Sequence, residues 1–198
     1  MDRAPVSLRE AVEQHLAAGG FPPDGGINEK WVVVGVGPVP FCFPNTRARR
    51  KATPIHDLNH GLSGYGHDLV SEAETGACEL GGGCKNYSAA WRLDWAVLVP
   101  GLFTAPGRML KAFARGRRTG NLYGAEIDAV LGEPLDAVRR SLGLDREYPV
   151  RVSDIVLFLG HALAAPVAGA TPALAAVVTS PLWLSSGAHK RQRSSSIP

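Results

Sequence analysis

Apolar residues return every three to four positions near the start of the chain, at Leu8, Val12 and Leu16. On a helix they share one face. Ser7 stands before them with Glu10 three residues on, the arrangement of a capping box, and Gly19-Gly20 ends the pattern. A helix from Ser7 to Ala18 is predicted. The pattern then changes: Trp31-Val-Val-Val-Gly-Val36 reads as one short strand. The stretch Gly37 to Pro44 stays apolar but carries three prolines, so it reads as an irregular or extended connector.

Further on, helical spacing dominates. Thr53 before Pro54 marks a helix start after a basic loop, Arg47 to Lys51, and gives a short helix from Pro54 to His60. Glycines 61, 64 and 66 make a turn. A second helix runs from about Asp68 to Leu80 and stops at Gly81-Gly82-Gly83. Ala89 to Phe113 is a third helical region, interrupted near Pro100 and Pro106, and Arg115 to Arg118 follow as a loop. Leu135, Val138 and Leu142 place a short amphipathic helix over Pro134 to Leu142. From Ile155 to Ser186 there is no Asp, Glu, Lys or Arg. That run reaches the roughly 20 residues that cross a bilayer, although Pro166, Pro172 and Pro181 would kink it or split it into a hairpin. The two readings are a membrane-inserted helix or hairpin and a buried pair of core helices.

The chain has 198 residues and a net charge of +3, with no global nucleic-acid signature. Its basic residues cluster beside apolar stretches: Arg47 to Lys51, then Arg108, Lys111, Arg115, Arg117 and Arg118, then Lys190, Arg191 and Arg193. Solvated loops and helix ends account for such clusters, as does contact with anionic lipid headgroups. Trp91 and Trp95 fit either the headgroup level or ordinary core packing. The cysteines, Cys42, Cys78 and Cys84, are too few and too irregular for a disulfide framework or a zinc ribbon. The mixed, charged N-terminus carries no early apolar signal segment. The expected location is the cytoplasmic side of a membrane, peripheral or held by a C-terminal transmembrane segment.

The chemistry concentrates in His56-Asp57-Leu58-Asn59-His60 and Glu72. His56 and His60 are four apart, so a helix turns both imidazoles to one face, where they can grip a single metal ion. Asp57 adds an oxygen ligand or orients a ring nitrogen, and after the glycine turn Glu72 on the next helix closes the site. Two nitrogens and two carboxylates suit zinc, and also iron or manganese. Glu79 shares a face with Glu72 and, with His67, is a candidate outer group that hydrogen-bonds the ligands. Glu74 points elsewhere, toward solvent. The bland reading is a pair of surface histidines near a helix start.

The pattern His-Asp-x-x-His, eleven residues, then Glu, here His56, Asp57, His60 and Glu72, resembles the metal motif of the ubiquinone-biosynthesis family whose type member is the fourth Coq protein. Gly61-Leu-Ser-Gly-Tyr-Gly66, Glu79-Leu-Gly-Gly-Gly83 and Arg115-Gly-Arg-Arg-Thr-Gly-Asn-Leu-Tyr123 are similar too. The likeness is specific over Pro54 to Gly83. It implies a largely helical, membrane-associated zinc protein that replaces the ring carboxyl of polyprenylated aromatic precursors by hydroxyl, with His56, Asp57, His60 and Glu72 as ligands. It also implies a polyprenyl or other lipid ligand and partner proteins of quinone biosynthesis. The chain is short for that family, and its Pro-rich N-terminal segment and apolar C-terminal third depart from the pattern.

The expected architecture is mainly α: a helical metal-binding domain over 1–152, an apolar helical segment over 153–186 and a basic disordered tail over 187–198. The competing function is a non-catalytic lipid-binding or scaffold protein whose metal only fixes the fold. A phosphohydrolase of the HD type lacks its further His and Asp ligands, and a di-iron oxygenase lacks a second His/carboxylate set. His161, alone in the uncharged run, reads as a hydrogen-bonded core histidine.

Overall fold

A computed structural model of the chain describes residues 5–36 and 39–185. The expected basic tail over 187–198 lies outside the described residues. The architecture is mainly helical, with one two-stranded sheet.

Helix α1 spans Leu8–Ala18, and its capping box forms as the sequence dictates: Ser7 Oγ accepts from the Glu10 amide while Glu10 accepts from the Ser7 amide. Strand β1, Trp31–Val36, pairs antiparallel with β2, Val39–Pro44, in the register Trp31 to Pro44 through Val36 to Val39. The Pro-rich connector is therefore a strand. In a two-stranded sheet every strand is an edge, and an edge leaves outward amides unpaired, so Pro40 and Pro44 remove no required bond.

Helix α2 covers Arg47–Ser63 and begins seven residues before the predicted Pro54 start. Thr46 caps it, its hydroxyl accepting from the Arg49 amide, so the basic run forms the first turns rather than a loop. Pro54 sits inside and merely forfeits one ladder bond. Gly64 (φ 77°) stops the helix in the left-handed conformation. Helix α3, Leu69–Gly82, starts on the Asp68 cap, which accepts from the Val70 and Ser71 amides. The predicted third region is two helices, α4 (Ser88–Thr104) and α5 (Pro106–Gly116), broken at Ala105 with Pro106 opening α5 and Pro100 inside α4. Arg115 ends α5 instead of opening a loop. A single turn, α6 (Ile127–Val130), precedes α7 (Leu135–Ser141).

The uncharged run forms α8 (Val152–Ala168) and α9 (Ala170–Ser185), split at Gly169 rather than at a proline. At 1.5 Å per residue α8 is about 25 Å long. Among the described residues no helix is long and apolar enough to cross a membrane. α8 packs on α4 and α5, and α9 packs on α4 and β2.

Two apolar clusters hold the fold. One gathers Leu8, Ile55, Leu58, Leu62, Leu122 and Val138 around α2. The other gathers Ala73, Ala77, Leu80, Leu98, Phe113 and Phe158 around α3. α3 and α5 approach so closely that a Cβ on Gly116 would strike the Cys78 backbone. The seam between α2 and α3 is where the expected site residues fall.

Candidate metal centre

His56 and His60 stand one turn apart on α2, and Glu72 is in the first turn of α3. The glycine-stopped end of α2 and the Asp68 cap fold the second helix back over the first. His56 Nε2 lies 3.5 Å and His60 Nε2 3.3 Å from the same atom, Glu72 Oε2. The donor atoms of His56, His60 and Glu72 all fall within 4.8 Å of one another. His60 is only 1% exposed, while Glu72 and His56 keep a partial opening to the surface.

The opposite ring nitrogens fix the tautomers. His56 Nδ1 is 2.9 Å from Glu79 Oε2, and a carboxylate can only accept, so Nδ1 carries the hydrogen. Thr75 Oγ1 gives its single proton to the Ser71 carbonyl at 3.2 Å and accepts from His60 Nδ1 at 3.2 Å. Both Nε2 atoms then present lone pairs toward a carboxylate oxygen. Three electron-pair donors facing one point repel unless a proton or a metal ion stands between them. The donor set therefore fits a divalent cation.

Without an ion, the electrostatics favour a proton at that point. Burial alone would lower the His56 pKa, but Glu79 and Glu72 outweigh it and hold it well above the usual range. Burial would raise that of Glu72, but the hydrogen bonds from His56 and His60 outweigh it and hold it far below. A proton on Nε2 and a metal ion thus compete for the same position.

Glu79 is 2% exposed and fully partnered. Besides His56, it accepts from Asn59 Nδ2 at 2.7 Å and Tyr123 Oη at 2.9 Å. Asp94 lies against it: His56, Glu79 and Asp94 form a second group with donor atoms within 4.8 Å. Burial, then the Glu79 charge, push the Asp94 pKa well up, and Cys84 Sγ donates to Asp94 at 3.1 Å. Asn59 Oδ1 also accepts from the Leu122 amide at 3.1 Å, which ties the 121–123 turn to the site.

Asp57 belongs to neither converging group. One residue past His56, it is rotated about 100° around the helix and its Oδ2 lies against Gly25, 2.6 Å from where a Cβ there would stand. Burial raises its pKa against the opposing pull of His56, His60 and Arg49. His67 packs on His15, with ring centres 4.0 Å apart, and its Nδ1 is buried without a partner. Glu74 is 7% exposed rather than solvated: Arg108 grips it through Nε at 2.8 Å and Nη2 at 2.5 Å.

The residues expected at a membrane surface have protein partners as well. Arg115 donates to the Ser63 and Leu144 carbonyls at 3.0 and 2.8 Å. Arg117 and Arg118 donate to the buried Asp154 at 2.6 and 2.7 Å. Trp91 donates to the Lys85 carbonyl at 3.0 Å, and Trp95 to His161 Nδ1 at 3.1 Å. Asp94, Asn59, Thr75 and Tyr123 were not singled out by sequence. Only Asp94 left a signal, as the one acid in the stretch from Trp91 to Phe113.

Comparison with family models, with curated proteins and with solved structures finds no match to this chain.

Proposed function

We propose that this protein binds one divalent cation at His56, His60 and Glu72 and acts at a membrane surface on a lipid-borne substrate. The observation that carries the metal is the convergence of two Nε2 lone pairs and a carboxylate oxygen on one point, with both Nδ1 atoms already committed to Glu79 and Thr75. Two imidazoles and a carboxylate suit zinc, and the same donors serve iron or manganese. Bound there, the cation would supply Lewis-acid stabilisation of negative charge on a substrate oxygen. The chain's own part is to hold both imidazoles in one tautomer and to keep one side of the site accessible through His56 and Glu72.

The lipid is supported by α8 and α9. Leu163 and Val167 on α8 are 81% and 80% exposed, and Val156, Leu174, Val177 and Val178 extend the same apolar character. Apolar surface on this scale marks an interaction site. Exposure around several sides of α8, rather than along one stripe, suits embedding among acyl chains better than docking against one protein face. The exposed Arg146 and Arg151 precede α8, and Lys190, Arg191 and Arg193 follow α9 in sequence, so basic groups flank the apolar run as an anionic leaflet requires. The likeness of the His56-to-Glu72 motif to the Coq-four family extends the proposal to a prenylated aromatic precursor of quinones, whose ring carboxyl is replaced by hydroxyl, in company with other proteins of that synthesis.

A second reading keeps the metal but not the catalysis: a lipid-binding scaffold whose ion fixes the α2–α3 seam. The buried, fully partnered Glu79 favours it, because such rigidity serves a structural ion equally well. Elemental analysis of protein purified without chelators, with mass spectrometry of co-purifying lipid, tests both. The enzyme reading expects one zinc, iron or manganese per chain and a prenylated aromatic acid in the extract. Ordinary phospholipid alone would favour the scaffold, and a chain that neither carries nor takes up metal contradicts both.

A further inference from the structure

His15 lies beside the converging donors and has no role in the site so far described. α1 carries its ring over that of His60, with centroids 4.7 Å apart and planes tilted by 32°. The two imidazoles already assigned to the cation, His56 and His60, lie at 4.8 Å. That spacing has a physical meaning. With metal–nitrogen bonds of about 2.0–2.1 Å, two imidazoles on one tetrahedral ion put their ring centres roughly 5 Å apart. His15 thus matches His56 in its spacing from His60, though at a tilt of 32° rather than 81° and from a different helix. Glu72 and His56 are also near enough to act on it electrostatically. The ring is half-buried and leans on His67 at 4.0 Å, and among the described residues no side-chain hydrogen bond holds it there.

We propose that His15 is a further ligand of the cation held by His56, His60 and Glu72, making a set of three histidines and one glutamate. The proposal rests on the metal reading above and deepens it. His15 is outside both converging groups in its present rotamer, so ligation takes a turn of the ring off His67 toward Glu72. The consequence is chemical. Four protein ligands saturate a tetrahedral zinc, whereas a six-coordinate iron or manganese retains two positions for substrate. His15 therefore sets which metals leave the site chemically open.

The test uses the full chain, stripped of metal and titrated with Co2+ and then Zn2+ against a chromophoric chelator. His15→Gln is expected to weaken both ions at least about tenfold, the lower end of what losing even an outer partner of a metal ligand costs. It is also expected to change the visible Co2+ absorption, which reports coordination number. His67→Gln should do neither. In His15→Ala, added imidazole should restore the wild-type Co2+ spectrum, which keeps the test decisive if the glutamine variant folds poorly. A His15→Gln protein with wild-type affinity and spectrum overturns the role of His15 and leaves the three-residue site standing. A wild-type chain that binds neither ion overturns the metal reading, and His15 with it.

Discussion

The α2–α3 seam and the α8–α9 pair are built on opposite terms. At the seam, polar side chains are buried and each is held: His56 by Glu79, His60 by Thr75, and Glu79 by Asn59 and Tyr123 as well. On α8 and α9, large apolar side chains face outward and few are held by anything. Burying polar groups demands partners, so the seam is stiff and intolerant of substitution. Exposing apolar groups costs little folding stability, so the outer face of α8 and α9 is free to change. Where stability does not constrain a surface, what it touches does.

That contrast can be broken most severely at Glu79. Glu79→Ala strands His56, Asn59 and Tyr123 in a buried place, and a loss of about 3–5 kcal/mol is expected by chemical denaturation. Asp154 comes next. It is 0% exposed and links the start of α8 to Arg117 and Arg118. Because both arginines reach solvent in part, Asp154→Asn should cost less, about 2 kcal/mol. Its pH behaviour has a definite sign. Burial would raise the Asp154 pKa, but the hydrogen bonds from Arg118, the Arg151 amide and Arg117 outweigh it and set it below the ordinary carboxyl value. Its contribution is therefore complete above the unfolded pKa of about 3.9 and lost as pH falls through the lower folded value. Denaturation midpoints of wild type and Asp154→Asn should converge in acid and stay separated at neutral pH. Tyr123→Phe removes one of several donors to Glu79 and should cost about 1 kcal/mol. The smallest effect on stability belongs to the other region. Leu163→Gln with Val167→Gln should change it by no more than about 0.5 kcal/mol yet sharply reduce sedimentation with anionic vesicles. Undiminished vesicle binding would remove the support for a lipid surface.

Local signals were legible where they act locally. The capping box at Ser7 and Glu10, the glycine stop after α3 and the four-residue step from His56 to His60 all follow from neighbours in sequence. The start of α2 did not, because a run of arginines resembles a loop until Thr46 is seen to cap it. β2 was obscured by prolines that only an edge strand accepts. Asp57 has the right chemistry, but helix rotation turns it toward Gly25. Asp94 and Tyr123 reach the site from far along the chain, so no spacing announced them. His15 is equally isolated in sequence, and only the packing of α1 on α2 brings it to His60.

The most direct test is crystallographic: anomalous scattering collected at the absorption edge of a metal the purified chain has taken up. One strong peak is predicted, within bonding distance of His56 Nε2, His60 Nε2 and a Glu72 oxygen, with Glu79 still on His56 Nδ1. A peak elsewhere, or a metal-exposed crystal whose Glu72 side chain points to solvent with nothing between the rings, contradicts the account.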